Sequence, residues 1–373
     1  MNNSIEKKII KLASKVNLSS SELKKLYSYI STDLDWGYLL YMVVHHRITP
    51  ILYNNLINAD AIKNIEKHVQ RILRMECLRI KEKNRVLISE MKNINEQFLS
   101  HSLEVIDLKG ASISQRLYPD PSFREFTDID YLAEKKDLSS INKCLEESGY
   151  IQGEFVFSTK TIKPYSRKEI IEKLLTSHES PEYVKLANSD YFNSIIIDVN
   201  HSLIWNEFIK TSPLSIEATG FLKRKYYETN NVKGYRLSEE NELQQLCCHF
   251  YSEAVFFMFD PSWKRDKSDI NIIKMYDIYL LCNHTNINWS QVKEQVQLRK
   301  IIEPVLYALC CLEKYYDDFS IPDVMESLLV GKYDKEKLID IYYDRNFKRC
   351  YWKCTLEARI FNISEKVREV GDF

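Results

Sequence analysis

The sequence predicts an α+β fold, with a small mixed sheet flanked by N-terminal and C-terminal helical regions. Three observations carry this. Apolar residues recur at helical spacing up to about residue 100 and again from Ser238 onward. The stretch between them carries short β-branched runs bounded by turn residues. No glycine lies between Gly37 and Gly110, which suits long helices. The chain of 373 residues exceeds one average domain. The expected divisions are a helical region over 1–101, an α/β core over 102–236 and a helical domain over 237–373.

In the first region, Ser19 and Glu22 have capping-box spacing ahead of Leu26, Tyr27 and Ile30. A second helix is expected over Trp36 to His45. A longer one follows, with Ile62, Ile65, Val69, Ile72 and Leu73 on one face, and Lys81 to Asn95 continues it. Leu103 to Leu108 is apolar and β-branched, and reads as a strand ending at Lys109-Gly110. Ala111 to Leu117 reads as a short helix. Pro119 and Pro121 make Tyr118 to Ser122 a loop. Asp128 to Ala133 is a second strand, Asp137 to Ser148 an amphipathic helix closed by Gly149, and Gly153 to Ser158 a third strand. Residues 159–181 are polar and read as an irregular loop. Glu182 to Leu186 and Tyr191 to Asn200 form a hairpin turning at Asn188-Ser189-Asp190. Beyond Ser238, helices are expected around Leu243 to Phe250, Ile270 to Cys282, Ile301 to Tyr316 and Tyr342 to Phe361.

Composition excludes several function classes. Lys and Arg total 52 against 53 Asp and Glu, a net charge of −1, so nucleic-acid binding by bulk electrostatics gains no support. With 8 glycines, neither G-x-G-x-x-G nor G-x-x-x-x-G-K-[ST] occurs. The nine cysteines contain no C-x-x-C pair, and Cys247-Cys248-His249 lacks a second pair at zinc spacing. No apolar run, Ala254 to Phe259 included, is long enough to cross a bilayer. These features predict a reduced, cytoplasmic protein without a membrane partner.

Four features carry candidate chemistry. At Leu108-Lys109-Gly110-Ala111-Ser112 a strand enters a helix, whose free N–H groups and dipole attract an anion. Gly110 permits close approach, Ser112 offers a hydroxyl and Lys109 a charge; an ordinary strand-to-helix turn is the plainer alternative. Asp128-Ile129-Asp130 puts two carboxylates on one strand face, a costly pairing that a Mg²⁺ ion would relieve. Asp198 interrupts the apolar run Ile195-Ile196-Ile197 and Val199, and serves as third ligand or base, or else faces water at a strand edge; Asp190 and Glu182 are the fallbacks. Arg124, between Phe123 and Phe126, can clamp a phosphate or pair with a nearby acid. The basic clusters Lys223-Arg224-Lys225 and Lys264-Arg265 with Lys267 either border such an anion or form solvated faces.

Leu108-Lys109-Gly110-Ala111, Leu117-Tyr118-Pro119-Asp120-Pro121, Arg124 and Asp128-Ile129-Asp130-Tyr131-Leu132 together resemble the bacterial uncharacterised nucleotidyltransferase family, within the polymerase β-type superfamily. The resemblance is dense over 106–133 and looser toward Asp198 and Leu243 to Leu281. It implies a small nucleotidyltransferase sheet in which Asp128, Asp130 and Asp198 hold Mg²⁺, or Mn²⁺, on an NTP such as ATP. Lys109, Gly110, Ser112 and Arg124 would bind the nucleotide. An acceptor hydroxyl or phosphate, on a small molecule or peptide, would attack the α-phosphorus and release pyrophosphate. Toxin-like relatives acting on tRNA or protein, and a catalytically degenerate helical scaffold, are the alternatives. Ala111 stands where the superfamily usually has Gly or Ser, and His201 is one residue later than the family's usual His. A glycosyltransferase reading of Asp-x-Asp would need an α/β half before the pair, where this chain has helices.

Overall fold

A computed structural model describes residues 4–202, 224–256, 270–330 and 333–361. Five helices open the chain: α1 Ser4–Ala13, α2 Ser20–Ile30, α3 Trp36–His45, α4 Thr49–Asn58 and α5 Lys67–Ser100. The Ser19 and Glu22 capping box is formed in both directions. No Gly or Pro interrupts α5, which runs for 34 residues, roughly 50 Å.

The α/β core follows. Its strands are β1 Ile106–Leu108, β2 Ile129–Leu132, β3 Ile151–Val156, β4 Thr161–Pro164, β5 Tyr183–Leu186, β6 Ser194–Asn200, β7 Arg224–Thr229 and β8 Val232–Leu237. Among the described residues they form one mixed sheet in the order β4-β3-β5-β6-β2-β1-β8-β7. The pairs β2–β6 and β1–β8 are parallel; the others are antiparallel. Helices α6 Lys109–Leu117, α7 Leu138–Glu147 and α8 Arg167–Thr176 connect them.

The C-terminal part contains α9 Glu239–Val255, α10 Ile272–His284, α11 Trp289–Leu298 and α12 Ile302–Tyr315. Short elements end the described chain: α13 Asp323–Glu326, α14 Lys335–Ile339, the hairpin β9 Ile341–Tyr343 with β10 Arg349–Tyr351, and α15 Leu356–Phe361. Among the described residues no helix is long and apolar enough to cross a membrane.

Three segments differ from expectation. Residues 159–181 are not irregular: β4 extends the sheet, and α8 starts at a second capping box, Ser166 with Glu169. The hairpin β7–β8 was hidden by its polar turn, where Asn230 and Asn231 take φ of 51° and 64°. Two consecutive left-handed residues make a tight turn matched to strand twist. Over Tyr342 to Phe361 a long helix was expected, but Asp344 accepts from the N–H groups of Asn346 and Lys348 and closes the β9–β10 turn. Lys223 and the Lys264, Arg265 and Lys267 cluster lie outside the described residues.

Two apolar cores position the site. The first joins the N-terminal and C-terminal helices: Ile9, Leu39 and Leu52 share it with Leu281, Leu309 and Ile360. Polar links tie the same bodies, with Val16 N–H donating to Tyr276 Oη at 2.8 Å and Tyr38 Oη to the Phe361 carbonyl at 2.9 Å. The second core puts Leu87, Met91, Ile94 and Phe98 of α5, with Ile141 and Leu145 of α7, against Ile129, Tyr131, Ile197 and Val199. Side chains alternate across a strand, so Asp130 and Asp198 project from the opposite face, toward the helical body. Leu132 on that face packs into the first core.

Beneath β1, the buried Asp107 Oδ2 accepts from Asn95 Nδ2 at 2.8 Å and from Tyr227 Oη. Burial pushes the Asp107 carboxyl up to about 7, although those two donors and the Arg116 charge oppose the shift. A carboxyl raised in the folded state stabilises most below its unfolded value near 3.8, and that contribution is lost as pH rises toward 7. The stability advantage of Asp107→Asn should therefore grow between pH 4 and 7 and level off above it. Thermal melts across that range measure this; a pH-independent difference would contradict it.

Candidate active site

Register brings the acids together. β2 and β6 run parallel, with Asp130 directly opposite Asp198. Neighbouring strands lie about 5 Å apart, so the two carboxylates leave the sheet side by side. Asp128 stands in the bend just ahead of β2, close enough that its charge acts on Asp130, Asp198 and Lys109. Asp130 is 8% exposed, while Asp128 and Asp198 are half-buried.

Their electrostatics follow from this crowding. Burial is the main force pushing the Asp130 carboxyl up to about 6, with repulsion from Asp128 and Glu179 adding and Lys109 opposing. The Asp198 carboxyl is held well above the usual carboxylate range, first by burial and then by Asp128, Glu179 and Asp130. Lys109 is the counter-charge. Its Nζ donates to Asp130 Oδ1 at 2.8 Å. Burial alone would lower the Lys109 ammonium, but Asp130, Asp128 and Asp198 outweigh it and raise it. Lys109 also takes φ of 47° where β1 becomes α6. A left-handed non-glycine residue costs energy, and this one aims the ammonium at the acids.

The other predicted residues are placed differently. Gly110 is buried, and a Cβ there would come within 2.6 Å of Phe126 Cβ. Its glycine character therefore serves packing of α6 on Phe126. Gly110→Ala should cost about 1–3 kcal/mol, read by urea denaturation, because every residue at 126 other than glycine carries that Cβ. Ser112 is fully buried beside Tyr227, on the Asp107 side of the sheet, and is not brought to the acids. Arg124 forms the ion pair that was its other reading. It is buried and forks onto Asp277 of α10, with Nη2 to Oδ2 at 2.7 Å and Nε to Oδ2 at 3.0 Å, and also donates to the Glu125 carbonyl.

Sequence reasoning missed several neighbours. Glu179 bridges to Asn200 at the end of β6 and adds a fourth carboxylate to the field of Asp130 and Asp198. The fallback Asp190 lies instead in an exposed loop, and Glu182 accepts from Tyr165 Oη at 3.4 Å. His249 of α9 and Lys274 of α10 both contact Glu253, His249 Nε2 at 3.4 Å. Burial holds His249 well below the usual histidine value, and the charges of Lys109 and Lys274 push the same way. The only sequence signal for this group was His249 in the family-like helix pattern.

The donor set suits a hard divalent cation: closely spaced carboxylates beside a strand end. In this conformation the set is not closed. Among the described residues no three His, Cys, Asp or Glu side chains gather as metal ligands, and the Lys109 ammonium holds the Asp130 oxygen.

Comparison with known proteins assigns a family through one match. No curated protein matches the chain. A crystal structure of an antigenic nucleotidyltransferase-like protein from Paracoccidioides brasiliensis aligns at 12% identity over 64% of this chain and 92% of that one, with a TM-score of 0.36. Residues 32–317 match the family model described as uncharacterised nucleotidyltransferase. That span runs from α3 through α12 and takes in Lys109, Asp128, Asp130 and Asp198, so this chain belongs to the uncharacterised nucleotidyltransferase family.

Proposed function

We propose that the protein is a Mg²⁺-dependent nucleotidyltransferase. It transfers a nucleoside monophosphate from an NTP, such as ATP, to a hydroxyl or phosphate on a small molecule or peptide, and releases pyrophosphate. The observation that carries this reading is the register of Asp130 against Asp198, with Asp128 beside them, in a chain of this family. Asp128, Asp130 and Asp198 would hold Mg²⁺, for which Mn²⁺ can substitute. Bound there, the ions would neutralise charge growing on the entering and leaving oxygens.

The chain's own groups supply the rest. Lys109 neutralises the acids before nucleotide binds, and its ammonium is free to turn to a phosphate once another cation takes its place. The N-terminus of α6 adds backbone N–H groups and a favourable dipole at the same spot. Asp198, with its raised proton affinity, is suited to accept a proton from an acceptor hydroxyl where it is not fully engaged with metal.

The Lys109–Asp130 ion pair favours a second reading, a silent scaffold whose lysine permanently replaces the cation. Incubation with each NTP and Mg²⁺ separates the two. An enzyme shows metal-dependent NTP binding by calorimetry and pyrophosphate release that EDTA abolishes. A scaffold shows neither.

A further inference from the structure

One face of α5 runs from an apolar groove toward Glu125 and Asp128, at the end of the sheet where the acid cluster begins. Ile72, Met75, Arg79 and Lys83 recur at helical spacing along roughly 16 Å of axis. At the far end Ile72 and Met75 are 51% and 57% exposed, and Val44 and Tyr191 are 48% and 51% exposed. With Leu40 and Arg79 these side chains line a groove of about 560 Å³. Its exposed wall is overwhelmingly apolar.

The groove becomes polar toward the acids. Arg79 Nη2 donates to Glu125 Oε1 at 2.7 Å, three residues before Asp128. One turn on, Lys83 Nζ lies 5.9 Å from the centre of the Phe192 ring and within the field of Glu125 and Asp128. The β5–β6 loop thus follows the same helix face, with Tyr191 over the apolar end and Phe192 over the charged end. A volume of this size is that of a small-molecule pocket. Exposed apolar side chains gathered in a concavity mark a binding site.

We propose that this groove is the acceptor site, and that the acceptor is an amphipathic small molecule: an aliphatic or aromatic body with a terminal hydroxyl directed at Asp128, Asp130 and Asp198. The acceptor role rests on the nucleotidyltransferase reading; ligand binding in the groove does not. In the transfer, the hydroxyl oxygen bonds to the α-phosphorus, the bond from that phosphorus to the diphosphate breaks, and the hydroxyl proton passes to a carboxylate of the cluster.

The test uses the full chain and two probes. Anilinonaphthalene sulfonate reports groove binding by fluorescence, and n-alkanols from butanol to octanol compete with it. Affinity should rise about fourfold per added methylene. The double variant Val44→Gln, Met75→Gln should lose at least tenfold in affinity for both probes. With Mg²⁺ and NTP, octanol should accelerate pyrophosphate release by the wild type, at concentrations at least tenfold lower than the variant requires. Leu298→Gln, at an exposed site elsewhere, controls for non-specific adsorption. Unchanged probe affinity in the double variant overturns the groove site. So does sedimentation showing a wild-type dimer that the variant dissociates, since the face is then covered by a second copy. Groove binding without transfer from any NTP retires the enzymatic reading and with it the acceptor role. Transfer to polar acceptors, unaffected by the double variant, overturns the acceptor role of the groove and leaves the enzymatic reading standing.

Discussion

Asp130→Asn is expected to lower nucleotidyl transfer by on the order of 10³-fold and, at the same time, to raise the melting temperature of the protein. The loss follows from removing one of the charges that would hold the cation against the developing phosphate charge, a contribution of several kcal/mol. The gain follows from the environment of the same carboxyl. Asp130 is buried among Asp128, Asp198 and Glu179, and its carboxyl stands at about 6 in the folded chain against 3.8 ordinarily. Its stabilising contribution is full below about pH 4 and gone above about pH 6, so at neutral pH the ionised group is a liability. Asparagine removes that charge and keeps an oxygen for Lys109, which still faces Asp128 and Asp198. The expected stabilisation is about 1–2 kcal/mol, a few degrees in a thermal melt at pH 7.5. Asp128→Asn and Asp198→Asn should also lose transfer. Added Mg²⁺ and NTP should raise the melting temperature of the wild type but not of the variants. Full turnover in Asp130→Asn would remove that carboxylate from the site, and a variant less stable than the wild type at pH 7.5 would contradict the cost assigned to its buried charge.

Sequence alone exposed the acids because their chemistry conflicts with their setting. An Asp in Ile195-Ile196-Ile197-Asp198-Val199, and a pair opening an apolar half-strand, are positions where charge is costly without a purpose. Their mutual register needed a parallel β2–β6 pairing between strands far apart in the chain, and period-two patterning cannot set such a pairing. Glu179 was lost for a related reason: it lies in a polar stretch where one more acid is unremarkable, and only the bridge to Asn200 brings it to the cluster. Gly110 was legible as an unusual position, but not its cause. The Phe126 Cβ that requires it is 16 residues away in sequence. The β7–β8 hairpin had a readable turn in Asn230-Asn231, and residues 159–181 had a readable cap at Ser166 and Glu169. In both, polar composition concealed local signals that the geometry confirms.

Arg124 shows how the same side chain serves two readings until a partner decides. From sequence it was a phosphate clamp or one half of an ion pair; in the fold its guanidinium meets Asp277, which also accepts from Tyr118 Oη at 2.7 Å. Arg124 and Asp277 are 6% and 1% exposed. The link docks the loop before β2 onto α10 and thereby places Lys274, one turn earlier on that helix, across from Lys109. Asp277→Ala should therefore cost about 3–5 kcal/mol, because it strands a buried guanidinium and orphans the Tyr118 hydroxyl. The double variant Arg124→Met, Asp277→Leu should recover most of that loss, since apolar groups of similar size can replace a buried pair at little net cost. Urea denaturation of the single and double variants closes the cycle. Should Asp277→Ala stay within about 1 kcal/mol of the wild type while Arg124→Met abolishes NTP binding, the guanidinium belongs to the nucleotide and not to the helix.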